Sequence, residues 1–123
     1  MQDLGQLEVW QKAHALSLCV HRVSVRMQKP EFASLRSQIF RAAMSIPANI
    51  AEGRRQSTDK QFARFLGYAL NSSSGLEHHL TVCRDLQAVS DHEFDSLVSQ
   101  TITVRKMLFG QSPRQVVLSC LCS

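Results

Sequence analysis

Val9-Trp10-Gln11-Lys12-Ala13-His14-Ala15-Leu16-Ser17-Leu18-Cys19-Val20-His21-Arg22-Val23-Ser24-Val25-Arg26-Met27 is the stretch that decides the fold. Val9, Ala13, Leu16, Val20, Val23 and Met27 recur at steps of four and three, which places them on one stripe of a helix. Lys12, His14, His21, Arg22 and Arg26 fall off that stripe, and Trp10 borders it. The pattern predicts a helix over about residues 7–28, ended by Lys29-Pro30 because proline cannot continue it.

Three further segments repeat the pattern. A second helix is expected from an N-cap at Ser34, with Leu35, Ile39, Ala42, Ile46, Asn49 and Ile50 as its stripe. Pro47 falls inside it and removes one backbone donor, so a kink is expected, with Ser45 or Asn49 placed to satisfy the freed groups. Gly53 suits a left-handed C-terminal turn before Arg54-Arg55. A third helix opens at the capping box Thr58-Asp59-Lys60-Gln61 and carries Phe62, Leu66, Ala69, Ser73, Leu76, Leu80 and Cys83. The run Asn71-Ser72-Ser73-Ser74-Gly75 either breaks it in two or lets a neighbour approach one long helix, and the unbroken stripe favours the second. A fourth helix starts at Ser90-Asp91-His92-Glu93, runs through Phe94, Leu97, Thr101, Val104 and Leu108, and closes at Gly110.

Short connections make successive helices antiparallel, so the expected fold is all-α, an up-down-up-down four-helix bundle over residues 1–110. Residues 111–123 form a tail with Pro113 and an apolar finish, poorly ordered or docked on the bundle or a neighbouring subunit. Leu18, Val25, Phe40, Phe65, Val98 and Ile102 lie off or beside the main stripes. That surplus of apolar surface predicts association with other copies or a partner.

Composition agrees with one globular domain: 123 residues, 44% hydrophobic and 20% charged. No run reaches the length of a membrane span, and the amino terminus lacks the order of a signal peptide, so the expected compartment is the cytoplasm. Cys19, Cys83, Cys120 and Cys122 are scattered without a Cys-x-x-Cys pair, and Cys19 and Cys83 read as small buried hydrophobes.

The chemistry-bearing motifs are missing. The histidines His14, His21, His78, His79 and His92 form no His-Glu-x-x-His or Glu-x-x-His repeat, so no metal is expected. No nucleophile elbow or phosphate-binding glycine loop occurs, and Glu52 and Glu77 are not joined by spacing. The chain reads as non-enzymatic, with no catalytic residue and no cofactor.

Charge is placed unevenly. Residues 1–56 hold eight Lys/Arg against four Asp/Glu, whereas residues 57–123 hold six of each. Lys29, Arg36, Arg41, Arg54 and Arg55 are therefore the candidate phosphate contacts. With no base-reading helix or aromatic platform evident, binding to RNA or DNA would be backbone-directed. The alternative is a protein-directed scaffold or adaptor that ignores nucleic acid.

Leu35-x-x-Gln38-x-x-Arg41-Ala42-Ala43-x-Ser45-Ile46-Pro47-Ala48-Asn49-Ile50-Ala51-Glu52-Gly53 resembles the central motif of the four-helix proteins encoded in bacterial 23S rRNA intervening sequences. Leu7-Glu8-Val9-Trp10-Gln11-Lys12-Ala13 and Phe62-x-x-Phe65-Leu66-x-x-Ala69 resemble that family's first and third helices. The chain departs from it where the family's Gly-Ser is followed three residues later by Glu. Here Asn71-Ser72 is followed by Gly75, and Glu77 would point elsewhere on the helix. The resemblance implies a cytosolic ring-like homo-oligomer, a pentamer, without enzymatic activity. The chain is also similar to the accessory proteins of diversity-generating retroelements, basic pentamers that bind a reverse transcriptase and nucleic acid.

In physical terms Arg41, Ser45, Pro47, Asn49, Glu52 and Gly53 form a structural signature. Asn49 and Glu52 share a face and are placed to bond loosened backbone or a neighbouring helix. Arg41 is a candidate partner for Glu52, across a turn or a subunit boundary. Structure or assembly is the favoured role for the motif, direct ligand contact the other.

Overall fold

The computed structural model describes residues 4–110, with side chains from Leu7 onward, so the tail at 111–123 lies outside the described residues. Four helices make up the described chain, without strands: α1 (Leu4–Ser24), α2 (Ala33–Arg54), α3 (Asp59–Asp85) and α4 (Asp91–Leu108). Each packs against the next, and α4 closes back on α1. Neighbours run antiparallel. Arg26, just past α1, reaches Glu93 at the start of α4 at 2.8 Å, and Arg84, near the end of α3, sits 4.3 Å from the Phe94 ring.

The predicted stripes meet as one core. Leu16, Ile39, Ile46, Ile50, Leu76, Leu80 and Leu97 are among its fully buried side chains. Each contributes roughly 1.5–3 kcal/mol of transfer free energy. Cys83 is buried among them as a free thiol, and burial pushes its pKa up to about 11. Cys19 is also buried.

Helix ends depart from the sequence reading. The regular part of α1 stops at Ser24, because the amides of Arg26 and Met27 turn to carbonyls three residues back and tighten the chain before Pro30. A short 3-10 helix at Pro30–Phe32 then leads into α2. Ser34 is therefore not a cap: the N-cap is Phe32, which makes no side-chain cap bond, and Ser34 accepts from Gln38 inside the first turns. Glu93 and Ser90 form the full reciprocal box at α4, while at α3 the Thr58 hydroxyl accepts the Gln61 amide.

Gly53 does not make a left-handed turn. It lies buried within helical α2, where an added Cβ would come within 3.1 Å of the Phe65 Cβ. The missing side chain serves close approach between α2 and α3 instead. Left-handed backbone occurs at Gly110 (φ 85°), as expected, and at Gln87 (φ 59°). At Gln87 the following Ala88 amide reaches back to the Cys83 carbonyl, closing α3 in the Schellman manner. The polar run in α3 does not break it: the helix is continuous for 27 residues, with Ser73 in the core and its hydroxyl on the Leu70 carbonyl.

Gly53→Val is expected to lower stability by about 1–3 kcal/mol, since an already tight contact must be forced open. Gly75 has nothing within 4 Å of an added Cβ, so Gly75→Ala should raise stability by about 0.5–1 kcal/mol. Urea unfolding followed by circular dichroism reads both signs.

A second expectation concerns Glu93. Burial alone would raise its carboxyl, but the Ser90 amide and the Arg26 guanidinium outweigh that and hold it below the ordinary glutamate value. A depressed folded pKa stabilises at neutral pH and is lost as pH falls through it. Glu93→Gln keeps a cap acceptor and loses the ion pair, so it should cost about 0.5 kcal/mol at neutral pH. Measured unfolding free energies of the two proteins should converge on acidification below about pH 4.

Candidate interaction surface

The five predicted phosphate contacts do not form one patch. Lys29 and Arg36 sit at the α1–α2 turn, whereas Arg54 and Arg55 end α2 about five turns away, roughly 27 Å along its axis. The Arg36 guanidinium is committed to the fold: it donates to the carbonyl of Met27 and, at 3.5 Å, to that of Lys29. Lys29 places its ammonium 5.9 Å from the Phe32 ring. Arg41 and Arg55 are exposed, and Arg54 is half-buried. Sequence spacing had no way to reveal that Arg36 serves as a C-terminal cap for the segment after α1.

The signature residues act mainly within α2. Pro47 is buried, and the turns around it are braced by the Ser45 hydroxyl on the Ala42 carbonyl and by the Asn49 amide on the Ser45 carbonyl, 2.9 and 2.7 Å. The helix continues through the proline, and neither side chain goes to the Ala43 carbonyl that the proline deprives of its usual donor. Glu52 is exposed, and Gln56 donates to both its carbonyl and its carboxylate. Arg41 cannot pair with Glu52 in one chain, because the positions are eleven residues apart on a continuous helix, roughly 16 Å.

A polar link between α3 and α4 was not expected. Arg105 donates to the Glu77 carboxylate at 2.7 Å, to the Ser73 hydroxyl at 3.2 Å and to the Ser73 carbonyl at 3.3 Å. Glu77 thus points to α4 and ties the two helices beside the core. Only the register between α3 and α4 brings these three residues together, and no local pattern encodes that register. Among the described residues no group of three or more His, Cys, Asp or Glu gathers as metal ligands would.

Two apolar grooves lie along α1 and α2. One groove of about 430 Å³ is lined by Trp10, Leu18, Phe40, Met44 and Ala51, and a second of about 590 Å³ by His21, Val25, Met27, Arg36 and Phe40. Phe40 belongs to both, so they form one face. Trp10 stacks on His14 at 4.9 Å with an interplanar angle of 7°, and His21 tilts against Phe40 at 5.3 Å. Leu18, Val25 and Met44 keep 44%, 53% and 48% of their surface exposed there. The stripe arithmetic had marked Leu18, Val25 and Phe40 as surplus; Met44 was missed because it stands among small residues of the signature.

The model of the 23S rRNA-intervening sequence protein family matches residues 5–110, from the start of α1 to the glycine after α4. The chain belongs to that family. It is also similar in fold to a crystal structure from Bacteroides thetaiotaomicron, described as a protein of unknown function from the S23 ribosomal protein family. The TM-score is 0.80 at 19% identity, covering 87% of this chain and 96% of that one. No curated protein matches the chain. No helix among the described residues of this intervening-sequence protein is long and apolar enough to cross a membrane.

Arg36→Ala is expected to lower stability by about 1–2 kcal/mol, because it strips a charged donor from the turn between α1 and α2. Arg41→Ala, at an exposed site, should stay within about 0.5 kcal/mol of wild type. Thermal and urea unfolding of the two variants separate the fold-bound arginine from the exposed one.

Proposed function

We propose that the protein is a non-enzymatic assembly unit of the cytoplasm, whose copies associate through the α1–α2 face and jointly present cations to nucleic-acid phosphates. The observation that carries this is the continuous apolar groove with Leu18, Val25 and Met44 open to water. A face about 22 Å long, from Trp10 to Val25 along α1, suits another protein surface better than a small molecule. The chain also holds the complement. Tyr68, Leu86 and Phe109 are 40%, 56% and 68% exposed and line neither groove. A groove on one side and apolar side chains elsewhere favour a head-to-tail contact, the type that closes rings. The pentamer implied by the family resemblance is such a ring.

Nucleic acid enters through charge. Arg41 is exposed on α2 and Arg55 just past its end, and Lys29 stands at the α1–α2 turn. One copy spreads these cations too far apart for a compact site, but repetition around a ring would multiply them into a backbone-directed surface. Arg36 drops out of this set, since its guanidinium is held by the turn.

Met44→Asp or Leu18→Asp should reduce the light-scattering mass to one chain while leaving the helical signal unchanged. A wild-type monomer would sink the assembly reading. Labelled RNA or DNA titrated against the assembled protein should bind at low salt and weaken as salt rises. Arg41→Gln with Arg55→Gln should flatten the slope of log affinity against log salt by about one for each phosphate left without its arginine. Assembly without any nucleic-acid binding would instead leave the protein-directed scaffold.

A further inference from the structure

The face that we read as the assembly contact contains two imidazoles and no acid. His14 lies in the Trp10 groove, stacked on the indole, and His21 lies in the Arg36 groove, against Phe40. Both are exposed in a single copy, as a contact residue must be before the contact forms. On α1 the side chains beside them are Trp10, Ser17, Leu18 and Val25; on α2 they are Phe40, Met44 and Arg36. The lining itself carries one formal charge, the Arg36 cation; next to it stand Arg22 beside His21, Arg41 beside Phe40, and Lys29 and Glu31 in the turn between the lining residues Gln28 and Ala33. Glu52 follows Ala51 at the Trp10 end of α2 and is engaged by Gln56.

We propose that protonation of His14 and His21 releases the assembly. The inference rests on the reading of the α1–α2 face as the contact between copies. Covering that face with apolar side chains takes both rings out of water. A neutral imidazole tolerates this, whereas an imidazolium there has neither hydration nor a carboxylate in the lining. Arg36, Arg22 and Arg41 add like charge. The assembled form therefore favours neutral imidazole. Association is complete above the range where histidine ordinarily titrates, about 6.5, and is lost as pH falls through it. Each excluded proton weakens association up to about tenfold per pH unit, so two give up to about a hundredfold.

Light scattering of the full chain between about pH 8 and about pH 5.5 tests this, with far-UV circular dichroism on the same samples. The expected result is a fall in mass on acidification with the helical signal constant. His14→Gln combined with His21→Gln should hold the assembled mass across the range. His78→Gln combined with His92→Gln, on α3 and the first turn of α4, should follow wild type. An assembled mass that ignores pH, a double variant that dissociates like wild type, or loss of helix together with mass overturns the inference. A monomer at every pH overturns the assembly reading and this inference with it, whereas an oligomer unmoved by acid overturns only the proton release.

Discussion

Helix α2 has to satisfy two neighbours at once, and the contact at Gly53 sets how it does so. With no side chain there, the end of α2 approaches the first turns of α3 so closely that the Phe65 Cβ lies 3.1 Å from where a Gly53 Cβ would be. That approach turns Ile39, Ala43, Ile46 and Ile50 into the core. Phe40, Met44 and Ala51 line the groove shared with α1. The core and the open groove are thus two consequences of one helix orientation. Pro47 sits between them, buried, and the side-chain bonds from Ser45 and Asn49 brace the helix around it.

How much of this could be read beforehand follows from the range of the interactions involved. Apolar periodicity is local, so the four helices and nearly all of the core were legible from residues such as Leu16, Ile46, Leu76 and Val104. Caps are local too, and Ser90 with Glu93 was read correctly. Ser34 was not, because the 3-10 turn at Pro30–Phe32 leads directly into α2 and moves the N-cap two residues earlier, to Phe32. Gly53 was misread for a related reason. A glycine near a helix end suits a turn or a close approach equally well, and only the position of Phe65 distinguishes them.

The candidate surface was legible only in part. Leu18, Val25 and Phe40 announced themselves as apolar residues off the stripe. Arg36 looked like any other cation in a basic segment, yet its guanidinium is taken up by two carbonyls that no linear pattern connects to it. Glu77 was assigned no partner, although Arg105 reaches it across the α3–α4 boundary. Both cases depend on how helices are offset along their axes, which depends on packing rather than on spacing. The charge asymmetry between the halves of the chain is real, but the fold distributes it along α2 rather than gathering it.

Cys83 gives the bundle a property that is independent of its surface. Burial keeps the sulfur protonated far above neutral pH, and only the thiolate reacts readily with electrophiles and oxidants. The side chain therefore remains inert for as long as the core stays closed. It becomes reactive in molecules that have opened. Alkylation at Cys83 then reports the fraction of time that α3 spends away from its neighbours, a measure of local opening carried by the native sequence.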